Sequence, residues 1–249
     1  MYQFFIEDEN AAADFVTIEG SDVNHIKNVL RMKPGEKIRV CTRNGQNYFC
    51  SISDITESFV RADILEKEAE STELPCRVYL FQGLPKNDKM EWIIQKTVEL
   101  GVYEVIPVTM KNCVVKLDDK KAKSKVTRWQ AIAESAAKQS KRSLIPEVKM
   151  PMSYKEAVAY AKELDVKLVP YENEHGMAGT KAAMEQIKKG ESIAVFIGPE
   201  GGFAPEEIAL VQDEMQLISL GKRILRTETA GIAALAILGY QLESSDMIE

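Results

Sequence analysis

Two glycine-containing segments near the end of the chain have the residue types of a ligand site. Residues 197–203 read Ile-Gly-Pro-Glu-Gly-Gly-Phe and end an apolar run of strand length, and residues 220–230 read Leu-Gly-Lys-Arg-Ile-Leu-Arg-Thr-Glu-Thr-Ala. Glycines let backbone amides approach a ligand closely, and Arg226 and Glu228 stand where polar side chains could reach a substrate. A tight strand-to-helix turn and a capped helix with a surface ion pair would explain the same residues without any ligand.

Two other kinds of site are disfavoured by residue spacing. Neither segment has the G-x-G-x-x-G pattern or the Lys-Ser/Thr pair of a P-loop, so a nucleotide-binding α/β protein that uses residues 198–202 for phosphate is an alternative without its usual motif. The four cysteines and two histidines show no metal-ligand spacing. We therefore expect a site without a metal.

The elements that position these segments fall into two parts. Strand patterns at residues 38–42 and 48–52 flank Asn44-Gly45, a strong hairpin signal, and a third strand is predicted at 59–65. Residues 66–73 are polar and without periodicity, and this stretch predicts a domain boundary before Pro75.

The second part alternates between strand and helix patterns. Apolar runs of strand length occupy residues 78–82, 105–109, 166–169 and 193–197, and helical patterns occupy 88–101, 124–141, a segment opening at Pro205, and 230–241. Asp88 is expected to cap the first of these helices. This alternation predicts an α/β fold with a mostly parallel sheet. Ligands bind beyond the carboxyl ends of such strands, which points to the loops after Val169, Ile197 and Leu220.

Charge is unevenly distributed along the 249 residues. The formal net charge of −6 argues against indiscriminate nucleic-acid binding, but residues 111–149 hold eleven basic residues against four acidic ones, and residues 21–43 hold six against two. Local binding of a polyanion and a pair of solvated surfaces both explain these segments. No apolar run could span a bilayer and no signal peptide is evident, so we expect a cytoplasmic protein with no membrane association.

The motifs, taken together, resemble the RsmE family of RNA methyltransferases in the SPOUT superfamily. Besides the two glycine-containing segments, the matching motifs are residues 84–96 with Glu99-Leu100-Gly101, Arg128-Trp129 with residues 133–140, and residues 25–31. The resemblance covers essentially the whole chain. It implies a PUA-like β-barrel that binds RNA over residues 1–70. It also implies a SPOUT α/β methyltransferase domain with a deep trefoil knot over 74–249, and a homodimer, which suits the apolar, small-residue helix at 230–241.

The resemblance also implies S-adenosylmethionine as the cofactor, held among three loops. The expected contacts are Pro170, Tyr171, Glu172, Gly198, Pro199, Glu200, Gly201, Gly202, Leu220, Gly221, Ile224, Leu225, Thr229 and Ala230. The implied acceptor is N3 of a uridine in helix 44 of 16S ribosomal RNA, in the small ribosomal subunit. That nitrogen is protonated at neutral pH, so the enzyme must expose it and favour loss of its proton. We hypothesise that Arg226 stabilises the developing anion and that Glu228 orients Arg226 or acts as the base.

The basic segments acquire a role under this interpretation. We expect phosphate contacts from six residues: His25, Lys27, Arg31, Lys138, Lys141 and Arg142. Family members commonly have a basic residue before the two aromatics near the N-terminus, whereas this chain has Gln3. A SPOUT methyltransferase acting on another nucleotide and a non-catalytic RNA-binding protein are the remaining alternatives.

Overall fold

The computed structural model describes residues 1–68, 71–174 and 176–245. The chain divides into two compact units, of which the first comprises Met1–Glu73 and Ala137–Ile145 and the second comprises Leu74–Ala136 and Pro146–Glu249. Sequence patterns did not indicate that residues 137–145 pack with the N-terminal part. In the described part of the chain, no helix combines the length and the apolar character that crossing a membrane requires.

The first unit is built on a mixed five-stranded sheet. Its elements in chain order are β1 (Tyr2–Ile6), β2 (Phe15–Glu19), α1 (Ser21–Asn24) with a π-helical turn (His25–Val29), β3 (Lys37–Thr42), β4 (Asn47–Ile55) and β5 (Phe59–Glu68). The strand order is β1-β3-β4-β5-β2, with β1 parallel to β3 and the other pairs antiparallel. Gly45 in the β3–β4 hairpin has φ +84°, the backbone conformation that an Asn-Gly turn provides.

One apolar core lies against this sheet. Alternate residues of the strands, such as Val16 and Ile18 on β2 and Val60 and Ala62 on β5, are fully buried in it. Period-two burial is what the strand geometry imposes when one face is covered. Each buried Val or Ile side chain contributes about 1.5–3 kcal/mol to folding.

The second unit contains a seven-stranded sheet whose strand pairs are all parallel. Its elements are β6 (Arg77–Gly83), α2 (Lys89–Glu99), β7 (Val102–Thr109), α3 (Asp119–Ser140, of which residues 137–140 belong to the first unit), β8 (Glu147–Val148), β9 (Met152–Ser153), α4 (Tyr154–Ala161), β10 (Val166–Pro170), α5 (Ala178–Glu185), β11 (Ser192–Ile197), α6 (Pro205–Val211), β12 (Gln216–Ile218) and α7 (Thr227–Ser245). The strand order is β12-β10-β11-β6-β7-β8, and β9 also pairs with β7. The predicted parallel α/β sheet is therefore confirmed.

The order of the strands positions the loops that the sequence singled out. All six residues of β11 are buried, as expected for a central strand covered on both faces. Its neighbours β10 and β6 run in the same direction, and β12 lies beyond β10. The carboxyl ends of these strands consequently meet at one edge of the sheet, where the loops after Pro170, Ile197 and Ile218 begin.

One strand is longer than predicted, and one capping prediction was wrong. Strand β5 continues to Glu68, into the polar stretch 66–73, and Glu66 pairs with Phe49 of β4. Asp88 occupies the N-cap position of α2, but its side chain makes no capping hydrogen bond. Its carboxylate instead lies 3.4 Å from Nζ of Lys125.

Candidate functional site

A cavity of about 580 Å³ lies at the carboxyl edge of the parallel sheet. Its lining comes from the loop after β10, the glycine loop after β11 and the loop between β12 and α7: residues 170–172 and 174, residues 197–200, 202 and 203, and residues 219–227, together with Lys89 and Ala230. This volume is within the range of about 300–1,000 Å³ that small-molecule sites occupy.

The structure brings most of the predicted site residues together. The expected cofactor contacts line the cavity except for Gly201 and Thr229, and Arg226 also lines it. Glu228, expected beside Arg226, is absent from the lining. Since the loops converge from distant parts of the chain, one ligand could contact all three.

The glycine loop, residues 198–203, is held in a fixed turn. The amide of Gly202 donates to the carbonyl of Pro199 at 2.9 Å, and Gly202 has φ +65°, a conformation that L side chains rarely adopt. Nδ2 of Asn112, after β7, donates to the carbonyls of Gly201 (2.9 Å) and Gly202 (3.2 Å). The loop after β11 is thus tied to the segment after β7, across the intervening strand β6.

The helix that follows the glycine loop is tied to the same strand end. Glu207 of α6 is buried, and its two oxygens accept from the amides of Ala204 and Lys111, each at 2.8 Å. The first bond caps α6, and the second joins α6 to the segment after β7. These contacts hold the exit of the loop in place.

A buried hydrogen-bond chain connects the glycine loop to α7. Nε2 of Gln82, a fully buried residue of β6, donates to Oγ1 of Thr227 at 2.9 Å, and that hydroxyl donates to the carbonyl of Gly198 at 2.6 Å. The N-terminus of α7 therefore cannot shift without breaking contacts to both strands. This chain fixes the position of Arg226, one residue earlier.

The loop after β12 is braced by α5 and by the loop after β10. Oγ1 of Thr180, a buried residue of α5, donates to the carbonyl of Ser219 at 2.8 Å and accepts from the Ser219 amide at 3.0 Å. The amide of Tyr171 donates to the carbonyl of Ile218 at 3.0 Å. Two of the three cavity loops are thereby locked together.

Lys89 is a cavity residue to which the sequence analysis assigned no role. Its Nζ lies 3.2 Å from Oε1 of Glu200 and 3.1 Å from Oε2 of Glu228. The hydrogen bond to Glu228, assisted by Glu200 and opposed by desolvation, raises the pKa of Lys89, which keeps it cationic at neutral pH. Burial acts to raise the pKa of Glu200, but backbone hydrogen bonds and Lys89 outweigh it and lower that pKa. Lys89 lies in the first turn of α2, the helix that follows β6, at the same edge of the sheet. That position is the signal by which the sequence could have identified it.

Arg226 differs from Lys89 in having an exposed, uncommitted charge. Its side chain is exposed, and within the described ranges it forms no ion pair. Glu228 is paired with Lys89 rather than with Arg226. The cavity therefore presents Arg226 to a ligand, while Glu228 serves an internal contact.

The six predicted RNA contacts all lie in the first unit, in varied environments. His25 and Arg31 are exposed, Lys27 pairs with Glu57, Nζ of Lys138 lies 3.0 Å from both oxygens of Asp22, and Nζ of Lys141 donates to the carbonyl of Met1 at 2.6 Å. Arg142 is only 3% exposed, and its Nε donates to Glu73 at 3.0 Å. The charge of Arg142 is therefore used inside the fold.

Gln3, the residue that departs from the expected family pattern, also faces the interior. Its side chain is 4% exposed, and its Nε2 donates to the carbonyl of Arg142 at 2.6 Å. A charged side chain could not take this position without a buried counter-ion. Gln3 thus joins residues 137–145 to the sheet of the first unit.

The lining is compatible with S-adenosylmethionine, the ligand that the resemblance implies. The carboxylates of Glu172 and Glu174 offer negative charge to an ammonium and a sulfonium, and the side chains of Ile197 and Phe203 offer apolar surface to an adenine. Within the described ranges, no three His, Cys, Asp or Glu side chains are grouped so that they could hold a metal ion.

Two family models match the chain, an RNA methyltransferase domain over residues 72–239 and an RNA methyltransferase PUA domain over residues 18–65. The ribosomal RNA small subunit methyltransferase E of Bacillus subtilis is 39% identical over 98% of this chain and 98% of its own length. The protein of the same name from Mesomycoplasma hyopneumoniae is 36% identical over 93% of this chain and 96% of its own length. The crystal structure of the Neisseria gonorrhoeae protein of the same name, bound to S-adenosyl methionine, superposes with a TM-score of 0.83 at 32% identity and 96% coverage of both chains.

Proposed function

We propose that this chain, which belongs to the family of ribosomal RNA small subunit methyltransferases E, transfers a methyl group from S-adenosylmethionine to N3 of a uridine in helix 44 of 16S ribosomal RNA, in the assembled small subunit. The family membership confirms the resemblance of the sequence motifs. The single observation that carries the proposal is the convergence of three loops on one cavity at the carboxyl edge of the sheet. The Neisseria relative, bound to S-adenosyl methionine, supports the cofactor.

Three groups of residues would hold the cofactor. Backbone groups of Gly198 and Gly202, together with those of the loop from Ser219, offer hydrogen bonds to an adenine and a ribose, and Glu172 and Glu174 offer counter-charge. When bound, S-adenosylmethionine supplies a methyl group already activated by its sulfonium.

Arg226 is the residue to which we assign stabilisation of the uracil anion. Loss of the N3 proton places negative charge on the flanking carbonyl oxygens, and a fixed cation beside them lowers the energy of that state. Its exposed guanidinium lines the cavity. Proton transfer to Glu228 would disrupt its ion pair with Lys89, so we assign Glu228 a supporting role rather than that of the base.

The test of Arg226 separates binding from chemistry. Arg226→Ala should bind S-adenosylmethionine as the wild type does, and should methylate small subunits about 10²- to 10³-fold more slowly, the usual effect of removing one such donor. Arg77→Ala, at the opposite end of β6, is the matched control and should retain activity. Unchanged turnover of Arg226→Ala would remove the proposed role.

The target nucleotide is tested in cells. Mass mapping of methylated uridine in ribosomal RNA, with and without this protein, should show one N3-methyluridine in helix 44 that depends on it. A lost methyl group elsewhere would favour the alternative of a methyltransferase acting on another nucleotide. If the methylation pattern is unchanged and calorimetry detects no binding of S-adenosylmethionine, the alternative of a non-catalytic RNA-binding protein is favoured. We expect instead an enzyme that acts in the cytoplasm.

We propose that the first unit grips RNA phosphates through His25, Lys27, Arg31, Lys138 and Lys141. Arg31 is exposed and has a left-handed backbone (φ +53°), so it projects from a turn rather than from regular structure. The sequence grouped Arg142 with the phosphate contacts. Because its guanidinium is paired with Glu73 inside the fold, we assign Arg142 a structural role instead. Arg31→Ala should weaken RNA binding and reduce the slope of log K against log salt by about 1. A slope equal to that of the wild type would contradict a phosphate contact.

The chain is proposed to act as a homodimer. Tyr240 on α7 is 76% exposed and Trp92 on α2, a helix in contact with α7, is 53% exposed, so both helices offer large apolar side chains to a second copy of the chain. Tyr240→Glu should shift the protein from dimer to monomer in sedimentation equilibrium. A wild-type protein that sediments as a monomer at micromolar concentration would refute the dimer.

A further inference from the structure

One lysine links three separate segments at the wall of the cavity. Lys89 begins α2, Glu200 belongs to the glycine loop, and Glu228 lies in the first turn of α7. The two carboxylates lie on the same ammonium, at 3.2 and 3.1 Å. All three side chains are partly buried, with 27%, 26% and 19% of their surface exposed. Partial burial reduces the solvent screening that makes most surface ion pairs weak.

Glu200 is held from two directions. Its Oε1 also accepts from the backbone amide of Lys86 at 3.0 Å. The segment that joins β6 to α2 therefore contacts the glycine loop through one backbone bond and one side-chain bond. On the other side, Glu228 follows Thr227, whose hydroxyl binds the carbonyl of Gly198. The segments around Lys89 thus form a closed set of contacts around one end of the cavity.

We infer that Lys89 is a positioning residue for the methyl-transfer site, acting on the glycine loop through Glu200 and on the Arg226 segment through Glu228. The inference deepens the proposed function and rests on it. Because each carboxylate is attached to a different part of the site, removing the ammonium should release both parts. The neighbouring carboxylates would then repel each other across the space that Lys89 occupied.

A role for Lys89 as the general base is incompatible with its surroundings. Two carboxylates favour its protonated form, and their hydrogen bonds raise its pKa. An amine that is already protonated at neutral pH cannot accept the N3 proton. Its part in the reaction is consequently electrostatic and geometric.

The two pathways predict a separation of kinetic effects. Glu200 lies in a loop that would hold the cofactor, so Glu200→Gln should raise the Kd for S-adenosylmethionine and leave kcat nearly unchanged. Glu228 adjoins Arg226, so Glu228→Gln should lower kcat and leave the Kd nearly unchanged. Lys89→Met should do both, each by about 10- to 100-fold, as expected when reacting groups are displaced by an ångström or less.

A double-mutant cycle distinguishes positioning from direct contact. If Lys89 acts through the carboxylates, Lys89→Met/Glu200→Gln should bind the cofactor no more weakly than Lys89→Met alone, and Lys89→Met/Glu228→Gln should have the kcat of Lys89→Met. Effects that multiply in both cycles would overturn the inference, because they would show that Lys89 acts independently of its partners. Lys89→Arg, which keeps the charge, should restore most of the activity.

The control and the order of measurement keep the outcomes separate. Lys162→Met removes a lysine paired at 3.3 Å with Glu214 in the same unit, and it should leave cofactor binding, kcat and thermal unfolding unchanged. If the wild type neither binds S-adenosylmethionine nor methylates small subunits, the proposed function is refuted, whatever the variants do. If the wild type is active and Lys89→Met behaves as Lys162→Met does, only the positioning role is refuted.

Discussion

Gly83→Ala should damage the cofactor site although Gly83 is not among the residues that line the cavity. A Cβ at Gly83, the last residue of β6, would lie 2.7 Å from the nitrogen and 2.8 Å from Cδ of Pro199 in the glycine loop, and 3.0 Å from Sδ of Met110. The backbone at Gly83 has no positive φ, so alanine would be tolerated there if the space existed. The expected damage thus comes from the close approach of two chain segments.

The size of the effect follows from these distances. Non-bonded heavy atoms prefer about 3.5 Å or more, so Pro199 must retreat by about 0.7 Å. Its ring cannot rotate away, and the displacement must pass into the loop backbone that lines the cavity. Overpacking of this kind costs about 1–3 kcal/mol, which corresponds to a fall in Tm of roughly 2–10 °C in the second unit.

Two measurements check this prediction. Calorimetric unfolding should show the lower Tm, and titration with S-adenosylmethionine should show a Kd raised at least about tenfold, equivalent to about 1.4 kcal/mol. Gly179→Ala is the matched control, because its Cβ meets nothing within 4 Å and it lies in helix α5, where alanine gains up to about 1 kcal/mol. Wild-type affinity and stability in Gly83→Ala would refute the reasoning, since the loop would then be free to move without cost.

Two further predictions concern the first unit. Arg142→Met should destabilise it by about 3–5 kcal/mol in urea unfolding, because the carboxylate of Glu73 loses its buried partner, whereas the exposed Arg43→Met should cost less than about 1 kcal/mol. Burial raises the pKa of the Cys41 and Cys50 thiols from 9.0 to about 12. Stability should accordingly fall between pH 9 and 12, because the unfolded thiols ionise first. The Cys41→Ala/Cys50→Ala variant should show a smaller decline over that interval, and an equal decline would contradict the assignment.

Much of the fold could be predicted from local patterns. The Asn44-Gly45 turn, the apolar run 193–197 of strand β11 and the amphipathic helix α2 each carry a signal of their own, and the structure contains all three. The strands of two or three residues, β8, β9 and β12, were not predicted because they are shorter than the repeat that periodicity needs. The trefoil knot stays a prediction of the family resemblance.

The loops of the site could be predicted because a rule about sheets locates them. Parallel strands bring their carboxyl ends to one edge, so a glycine loop after one strand predicts neighbours from the others. The contacts that hold those loops obey no such rule. Gln82 and Thr227 are 145 residues apart, and Lys86 and Glu200 are 114 apart. Their pairing depends on the order of strands, which no local pattern encodes.

Charged residues show most clearly what could not be predicted from the sequence. Their number can be read from the sequence, but the partner of each charge cannot. Arg142 and Arg31 belong to segments that look equally basic, yet Arg142 lies against Glu73 in the interior and Arg31 is exposed. Lys89 and Arg226 both line the cavity. Lys89 is paired with two carboxylates, whereas Arg226 has no counter-ion among the described residues. A cation already paired within the protein gains little from binding an anion, because it must give up its first partner. Transition-state stabilisation should therefore be sought at Arg226, and the alignment of the groups around it at Lys89.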